Sequence, residues 1–139
     1  MLEREGQLDL AAAAFRQTVV LHPRTTAAWF ELSNIHTSEG KYEPALQECE
    51  RARSLEPEQP AFYDCLGKIL SRMNRLSAAI ERFEEAVRLQ PDYIQARLDL
   101  GQALIQQGLR DRAKQQFQEV LRLEPNNQTA RQSMDSLRN

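Results

Sequence analysis

Cysteine, net charge and long apolar runs are all scarce in this sequence, and each shortage removes a class of protein. The 139 residues include two cysteines, too few for a disulfide framework, and their surroundings match no zinc-binding spacing. No run of roughly 18 apolar residues occurs, so membrane insertion is not expected. The N-terminus lacks a signal-peptide pattern, although a shortened chain would have lost one. We therefore expect a cytoplasmic protein in a reducing setting.

The balance of charge and the lack of catalytic motifs narrow the possible functions further. A formal net charge of −2 argues against nucleic-acid binding, which usually needs a basic face. The sequence contains no glycine-rich phosphate loop, no HExxH motif and no paired-carboxylate arrangement. Neither a cofactor nor a metal ion is therefore expected.

Four prolines divide the chain at a fixed interval. Pro23, Pro57, Pro91 and Pro125 follow one another at 34 residues each time. A constant period of roughly 20–50 residues is typical of stacked supersecondary units. Each proline closes a segment in which small or apolar residues recur at steps of three and four. That spacing lines one face of a helix, and the proline ends it.

A second helical pattern precedes most of these segments, and a turn residue separates the two. The turn residues are Gly40, Asn74 and Gly108, and Gly6 holds the same phase in the first segment. Glycine and asparagine tolerate the left-handed conformation that ends a helix. Each repeat is therefore predicted to be a helix, a tight turn and a second helix.

These repeats resemble tetratricopeptide repeats (TPRs), in which an aromatic residue, Leu-Gly, a glycine turn, Ala, Phe, Ala and Pro recur in order. The repeat that begins at Thr26 carries Trp29, Leu32, Gly40, Tyr42, Ala45, Ala52 and Pro57. The next carries Tyr63, Leu66, Gly67, Leu70, Ala79, Phe83, Ala86 and Pro91, and the third Leu100, Gly101, Leu104, Gly108, Ala113, Phe117 and Pro125. The resemblance covers nearly the whole chain. It implies an all-α fold, a right-handed α-solenoid of antiparallel helix pairs.

The predicted organisation is a single array with unequal ends. Residues 1–25 form a partial repeat, mainly its second helix, and 26–59, 60–93 and 94–127 form repeats. Residues 128–139 form a C-terminal capping helix, in which Arg131, Asp135 and Arg138 replace apolar or small residues, as suits contact with water. The first repeat lacks most of its first helix, so we expect a fragment or the tail of a longer array.

One pair of residues admits a catalytic interpretation. His36 and Cys49 occupy neighbouring core positions of one repeat, and a Cys–His pair can activate a thiolate. The alternative is compensation of size, because Cys49 stands where other repeats have phenylalanine and His36 where they have leucine. We favour packing, since a buried nucleophile has no pocket for a substrate. The chain is therefore predicted not to be an enzyme.

The resemblance also implies where a ligand would bind, because the first helices of TPRs line the concave face of the superhelix. Amide side chains there suit the backbone of an extended peptide, and apolar ones suit its side chains. The basic pair Lys68 and Arg72 could hold a carboxylate, or be neutralised by flanking Asp64 and Asp99 as ordinary surface ion pairs. The predicted peptide-binding groove comprises Phe30, Asn34, Asp64, Lys68, Arg72, Leu98, Asp99, Gln102, Ile105 and Gln106.

One activity known in the family is disfavoured by the residues. Co-chaperone members hold a C-terminal Glu-Glu-Val-Asp tail with a clamp of lysine, asparagine and arginine side chains. Counted from the Trp29 repeat, the clamp positions in this sequence hold Phe30, Asn34, Cys65, Gln95 and Asp99. Only Asn34 matches, and Asp99 would repel the acidic tail.

Three functions remain open. The preferred one is a scaffold for protein–protein interaction that docks a peptide segment of a partner of unknown identity. The second is a non-catalytic accessory domain of a larger enzyme, such as a glycosyltransferase or a hydroxylase. The third is self-assembly into a homo-oligomer through an uncovered apolar face of the N-terminal helix, formed by Leu8, Ala11, Ala12, Phe15 and Val19.

Overall fold

A computed structural model describes the backbone of residues 2–138 and the side chains of residues 4–138. Within residues 2–138 the chain forms eight α-helices and no strand, so the predicted all-α fold is confirmed. The helices are α1 (Leu2–Leu21), α2 (Thr26–Ser38), α3 (Tyr42–Leu55), α4 (Pro60–Arg72), α5 (Leu76–Leu89), α6 (Ile94–Gln106), α7 (Arg110–Leu123) and α8 (Gln128–Leu137). They divide into two compact units, Met1–Phe62 and Tyr63–Asn139.

The tight turns after α2, α4 and α6 share one hydrogen-bond pattern. Gly40, Asn74 and Gly108 have φ angles of 76°, 61° and 83°, the left-handed conformation that the sequence predicts for them. After Gly40, the Lys41 N–H donates to the His36 carbonyl oxygen at 2.8 Å. The equivalent bonds after Asn74 and Gly108 measure 2.9 and 2.8 Å. This is the Schellman motif, which satisfies the carbonyl groups left unpaired at a helix end.

Gly6 does not form the turn that its phase predicts. Helix α1 runs without a break from Leu2 to Leu21, and positive φ among the described glycines is limited to Gly40 and Gly108. A glycine inside a helix costs only about 1 kcal/mol relative to alanine, so a glycine at this phase does not by itself force a turn. The prediction of two helices in this segment was therefore wrong.

The apolar face of α1 is covered, contrary to the expectation from the sequence. The loop of residues 22–25 lets α2 fold back along α1, so that its Ala28, Leu32 and Ile35 pack against that face. The α1 residues covered in this way are Leu8, Ala11, Ala12, Phe15 and Val19. Large exposed apolar residues of α1 lie elsewhere on the helix, at Leu10, Val20 and Leu21.

In the second unit, α4, α6 and α8 lie side by side. Lys68 of α4 reaches Asp99 of α6, with 3.8 Å between Nζ and Oδ2. Gln102 of α6 donates to the Ser133 hydroxyl of α8 at 3.1 Å. An ion pair likewise links α5 to α7, which form the opposite layer. The first helices of successive repeats thus form one continuous face within this unit.

Phenylalanine rings lie directly on glycine backbones between the two layers of the second unit. A Cβ atom built on Gly67 would lie 2.5 Å from Phe83 Cδ1, and one on Gly101 would lie 2.5 Å from Phe117 Cζ. Both rings are fully buried. No side chain larger than that of glycine fits these positions unless the ring moves, which explains the Leu-Gly pairs of the repeat.

The first unit solves the same packing problem with different residues. Ser33 and Cys49 stand at the positions of that glycine and phenylalanine, and both are fully buried. The Ser33 hydroxyl donates to the Ala45 carbonyl at 2.8 Å, and the Cys49 thiol donates to the Phe62 carbonyl at 3.3 Å. Because a thiol is smaller than a phenyl ring, it leaves the room that the serine side chain needs. The small side chain of Cys49 therefore compensates for the side chain of Ser33. The sequence had suggested instead that it compensates for His36.

Candidate functional site

Most of the predicted groove residues lie on the face that α4 and α6 form in the second unit. Lys68, Arg72, Gln102 and Gln106 are exposed there, and Ile105 is half-buried. The lysine and the arginine are one turn apart on α4, and the two glutamines are one turn apart on α6. Together they make two adjacent rows of hydrogen-bonding side chains.

Leu98 contributes little to the exposed face. It was proposed from the sequence as an apolar anchor for a ligand, but only 8% of its surface is exposed. The leucine is one of the buried residues of α6, together with Leu100 and Leu104. Most of its side chain is therefore used in holding α6 to its neighbours.

Asp64, Lys68 and Asp99 form a compact charged cluster on the same face. Asp64 Oδ2 lies 3.2 Å from Lys68 Nζ, and Asp99 Oδ2 lies 3.8 Å from the same nitrogen. Only 3% of Asp64 is exposed, although half of the lysine side chain is in solvent. Asp64 is thus a buried carboxylate, unlike the partner of an ordinary surface ion pair, and Lys68 is engaged by two acids.

The two carboxylates compete for one lysine. Asp64 Oδ1 and Asp99 Oδ2 are buried, and neither receives a hydrogen bond from the described residues. Burial, with the proximity and like charge of the Asp64 carboxyl, raises the pKa of Asp99 to about 7, against the opposing effects of Lys68 and Gln95. A raised pKa is expected when two acids share a site of low polarity. Near neutral pH, the Asp99 carboxyl is therefore partly protonated.

Neighbouring side chains enclose the cluster. Gln95 donates to Asp99 Oδ1 at 3.0 Å. Burial raises the pKa of Tyr93 to about 12, and the charges of Asp64 and Asp99 add to the effect. Burial opposes the charge of Lys68, but the two carboxylates outweigh it and raise the pKa of that lysine. The phenol therefore stays neutral and the lysine stays charged throughout the physiological range.

The sequence identified Asp64 and Asp99 as members of one face but missed their pairing. The two residues are 35 positions apart, one more than the repeat period, and this offset brings them onto adjacent helices. A visible signal was the spacing of Asp64 and Lys68, which at i and i+4 predicts an ion pair. The burial of Asp64 depends on packing by its neighbours, which the pattern of α4 alone does not reveal.

The first unit carries the two remaining groove candidates on α2. The Phe30 ring packs against the Phe62 ring, with centroids 5.4 Å apart and planes inclined at 54°. Asn34 is exposed and borders an open depression of about 430 Å³. The other residues that line this depression are Arg4, Leu8, Ile35 and Ser38. Asn34 is therefore free to meet a ligand, whereas one side of Phe30 already has an aromatic neighbour.

The histidine and cysteine of the first unit are each held by other groups. His36 Nδ1 lies 2.6 Å from Glu48 Oε1, and both side chains are nearly buried. Burial raises the pKa of Glu48, although its hydrogen bond to His36 and the charge of Arg16 act in the opposite direction. Cys49 is fully buried, with its thiol directed to a backbone carbonyl. A substrate has no route to this sulfur in the folded state.

Among the side chains of residues 4–138, no three from His, Cys, Asp or Glu come together as metal ligands. In the same part of the chain, no helix has both the length and the apolar character needed to cross a bilayer.

Comparison with known proteins identifies the repeat. A model described as tetratricopeptide repeat matches residues 2–60, and a second model of the same description matches residues 70–134. No curated protein matches the chain by sequence. The two matched stretches include the whole of α1, α2, α3, α5, α6 and α7, most of α8, and only the two ends of α4.

Solved structures share the fold at low sequence identity. MamA is 21% identical, with a TM-score of 0.89 over 97% of this chain and 79% of its own. The first TPR of Spaghetti (RPAP3), bound to the HSP90 peptide SRMEEVD, is 24% identical, with a TM-score of 0.78 over 81% of this chain and 89% of its own. The second TPR domain of human RPAP3, in complex with the HSP70 peptide SGPTIEEVD, is 25% identical, with a TM-score of 0.73 over 77% of this chain and 89% of its own.

Proposed function

This chain belongs to the tetratricopeptide repeat family, and we propose that it is a protein-interaction module that docks an extended segment of a partner protein. The docking surface is the face of the second unit formed by α4 and α6. On this proposal the chain performs no catalysis of its own.

The observation that carries the proposal is the pair of polar rows on that face. Lys68 and Arg72 on α4 run beside Gln102 and Gln106 on α6, and all four are exposed. Amide side chains can donate to and accept from a peptide backbone, and half-buried Ile105 offers an apolar contact between them. The core of the repeat does not require these identities, because the buried positions of both helices are filled by other residues.

We propose a contribution from the first unit as well. Asn34 and Phe30 lie on α2, and the depression beside Asn34 is large enough for one or two amino-acid side chains. The arrangement is open to solvent on the Asn34 side. These two residues are therefore candidate contacts within the first unit, independent of the α4 and α6 face.

The partner is expected to differ from the chaperone tails bound by the RPAP3 domains. Those peptides end in Glu-Glu-Val-Asp, and their acidic groups need basic partners. In this chain Lys68 is already engaged by Asp64 and Asp99, so it offers little net positive charge. An acidic tail would meet a buried pair of acids at the centre of the face.

The test is capture of partners by the intact chain, compared with two triple variants. The face variant carries Arg72→Ala, Gln102→Ala and Gln106→Ala. The control carries Gln115→Ala, Gln118→Ala and Arg122→Ala on α7, which change the same residue types on the opposite layer. Proteins held by the parent and the control but released by the face variant would support the proposal. Proteins retained by all three chains would contradict it.

Self-association is a second candidate, favoured by exposed apolar side chains of α1. Leu10, Val20 and Leu21 have 74%, 78% and 64% of their surfaces exposed. Contact with a second copy of the chain would remove these apolar side chains from water, which is favourable. Light scattering of the parent and of a Leu10→Lys, Leu21→Lys variant tests this. If the chain associates through α1, the parent should be an oligomer and the variant should be a monomer.

A further inference from the structure

The acidic cluster of the second unit has more hydrogen-bond acceptors than donors. Asp64 is nine-tenths buried or more, yet its Oδ1 receives no hydrogen bond from the described residues. A buried carboxylate oxygen without a donor is unfavourable, because it has lost its hydrogen bonds to water and gained none from the protein. Lys68 lies nearer to Asp64 than to Asp99, which leaves the second acid short of a counter-charge. The site therefore lacks one donor group with positive charge.

This inference rests on the proposed function and names the chemistry of the partner. We propose that Asp64 and Asp99 together receive a basic side chain, an arginine or a lysine, from the docked partner segment. The incoming cation forms hydrogen bonds to the free carboxylate oxygens. A proton held by Asp99 leaves to solvent, so the bound state contains two carboxylates, Lys68 and the partner's cation.

Access to the pair is through Asp99 and Lys68. The Asp99 side chain is 19% exposed, and the Lys68 ammonium lies over the cluster at the end of a flexible aliphatic stem. A partner side chain can reach the acids if the lysine moves aside, without any change in the backbone. Tyr93 and Gln95 keep their places, since the phenol stays neutral and the amide stays bonded to Asp99.

A divalent metal ion is a poorer occupant of this site than a basic side chain. Hard cations such as calcium take six or more oxygen ligands, and zinc takes four ligands. The described residues bring two acids together here, and they provide no group of three His, Cys, Asp or Glu side chains that could hold a metal ion.

The proposal predicts that binding of a cation depends on pH. Asp99 must be ionised to hold the cation, and its pKa is raised to about 7. Apparent affinity scales with the fraction of the protein in the competent state, so it should rise about tenfold between pH 6 and pH 8. By linkage, the bound cation should lower the pKa of Asp99.

The experiment uses the whole chain and two small probes, N-acetyl-arginine methylamide and its neutral isostere N-acetyl-citrulline methylamide. The backbone amides and the Asp99 carboxyl carbon are followed by NMR at pH 6 and pH 8. We expect arginine to perturb α4 and α6 around Lys68 and Asp99, more strongly at pH 8, and to lower the pKa of Asp99. Citrulline should do neither. Equal effects of the two probes, or no local effect of arginine at its highest soluble concentration, would overturn the inference.

Two variants make the test specific. Asp99→Asn keeps the shape of the side chain but removes the second charge, so it should abolish the response to arginine. Lys68→Met removes the competing ammonium and should strengthen that response at least severalfold. A full response in a folded Asp99→Asn variant would refute the role of the pair. A folded Lys68→Met variant with weakened binding would show that the lysine assists the ligand, which also contradicts the proposal.

Failure of this inference is distinguishable from failure of the proposed function. If captured partners are lost by the Arg72, Gln102 and Gln106 variant but kept by Asp99→Asn at pH 8, the face binds a partner that brings no cation to the pair. If the arginine probe binds at Asp99 but no partner depends on the face, the cation site exists and the docking proposal fails.

Discussion

The Phe83 ring lies so close to the backbone of Gly67 that a Cβ on the glycine would fall 2.5 Å from the ring atom Cδ1. The contact joins α4 to α5 within one helix pair. Its counterpart in the next pair, between Gly101 and Phe117, is equally close, with 2.5 Å from such a Cβ to Cζ. The distance between paired helices in the second unit is thus set by a ring on a bare backbone.

Substitution of that glycine should therefore destabilise the second unit. Gly67→Ala forces the Phe83 ring to move in a filled core, and such overpacking typically costs about 1–3 kcal/mol. Gly6→Ala is the matched control, because Gly6 lies inside α1 with nothing within 4 Å, and alanine there should stabilise the helix by about 1 kcal/mol. Urea denaturation of both variants measures the difference. Equal effects would mean that the ring is not held against the backbone.

The combination of Ser33 and Cys49 in the first unit suggests a second substitution that would restore the stability lost in Gly67→Ala. In the double variant Gly67→Ala, Phe83→Cys, the smaller residue makes room for the added methyl group. The combined loss of stability should be smaller than the sum of the two single losses, as expected for residues in contact. A double-mutant cycle measures this coupling, and strict additivity would show that the two positions are independent.

The period of the sequence was sufficient to predict the helices and three of the four turns. Gly40, Asn74 and Gly108 could be predicted as turn residues for two reasons. The left-handed conformation is costly for most residues, and glycine or asparagine recurs at the same position of each repeat. Gly6 shares the phase but lies inside the continuous helix α1. Local chemistry permits a turn, and the packing of neighbouring helices decides whether one forms.

The turn residues give a second prediction about stability. Gly108→Ala places a Cβ at a φ of 83°, which costs roughly 1–2 kcal/mol, although nothing lies within 4 Å of the added atom. Asn74→Gly is the control, because φ is 61° there and glycine adopts that conformation without strain, so the second unit should be unchanged or more stable. Thermal unfolding of both variants tests the signs, and a neutral Gly108→Ala would contradict the assignment.

The site was less accessible to prediction than the fold. The periodicity placed Asp64, Lys68 and Asp99 on one face, but it suggested ordinary surface ion pairs. Asp64 is instead buried and the pKa of Asp99 is raised, because neighbouring side chains keep water from the two carboxyl groups. Burial of this kind comes from contacts between repeats, and a pattern along one helix carries no information about it.

The side chain at the aromatic position of the repeat can donate a hydrogen bond to the backbone carbonyl of the proline that ends the preceding repeat. Trp29 Nε1 donates to the Pro23 carbonyl at 2.8 Å, and Arg97 Nε donates to the Pro91 carbonyl at 2.7 Å. Arg131, which the sequence suggested was a solvent-facing replacement, makes the same bond to Pro125 at 3.0 Å. An arginine can thus serve at this position in the middle of the array as well as at its end.

These bonds should be measurable by conservative substitution. Trp29→Phe and Arg97→Met keep most of the apolar contact but remove the donor, and each should cost about 1 kcal/mol. Trp29→Ala also removes the ring and should cost about 3 kcal/mol. Arg138→Met is the control, because that exposed arginine has only a distant partner in Asp135, and its loss should change stability by less than about 0.5 kcal/mol. Denaturation curves that do not distinguish Arg97→Met from Arg138→Met would refute the role of the bond.

The raised pKa of Asp99 predicts an unusual dependence of stability on pH. Its value is about 7 in the folded chain against an ordinary 3.8, so the folded state holds the proton more tightly than the unfolded state does. For an acid shifted in this direction, stability is greatest at low pH and falls as pH rises from about 4 to about 7, after which it levels. Paired carboxylates with lowered pKa values show the opposite trend.

Comparison with Asp99→Asn isolates this contribution, because the amide cannot ionise. The stability of the variant relative to the parent should increase between pH 4 and pH 7 and then stay constant. Glu85→Gln is the control of opposite sign, since Arg88 lowers the pKa of that exposed acid through a hydrogen bond. Its relative stability should fall slightly as the pH rises through the acidic range. Urea denaturation at several pH values measures both differences, and a pH-independent difference for Asp99→Asn would show that the pKa of Asp99 is not raised in the folded chain.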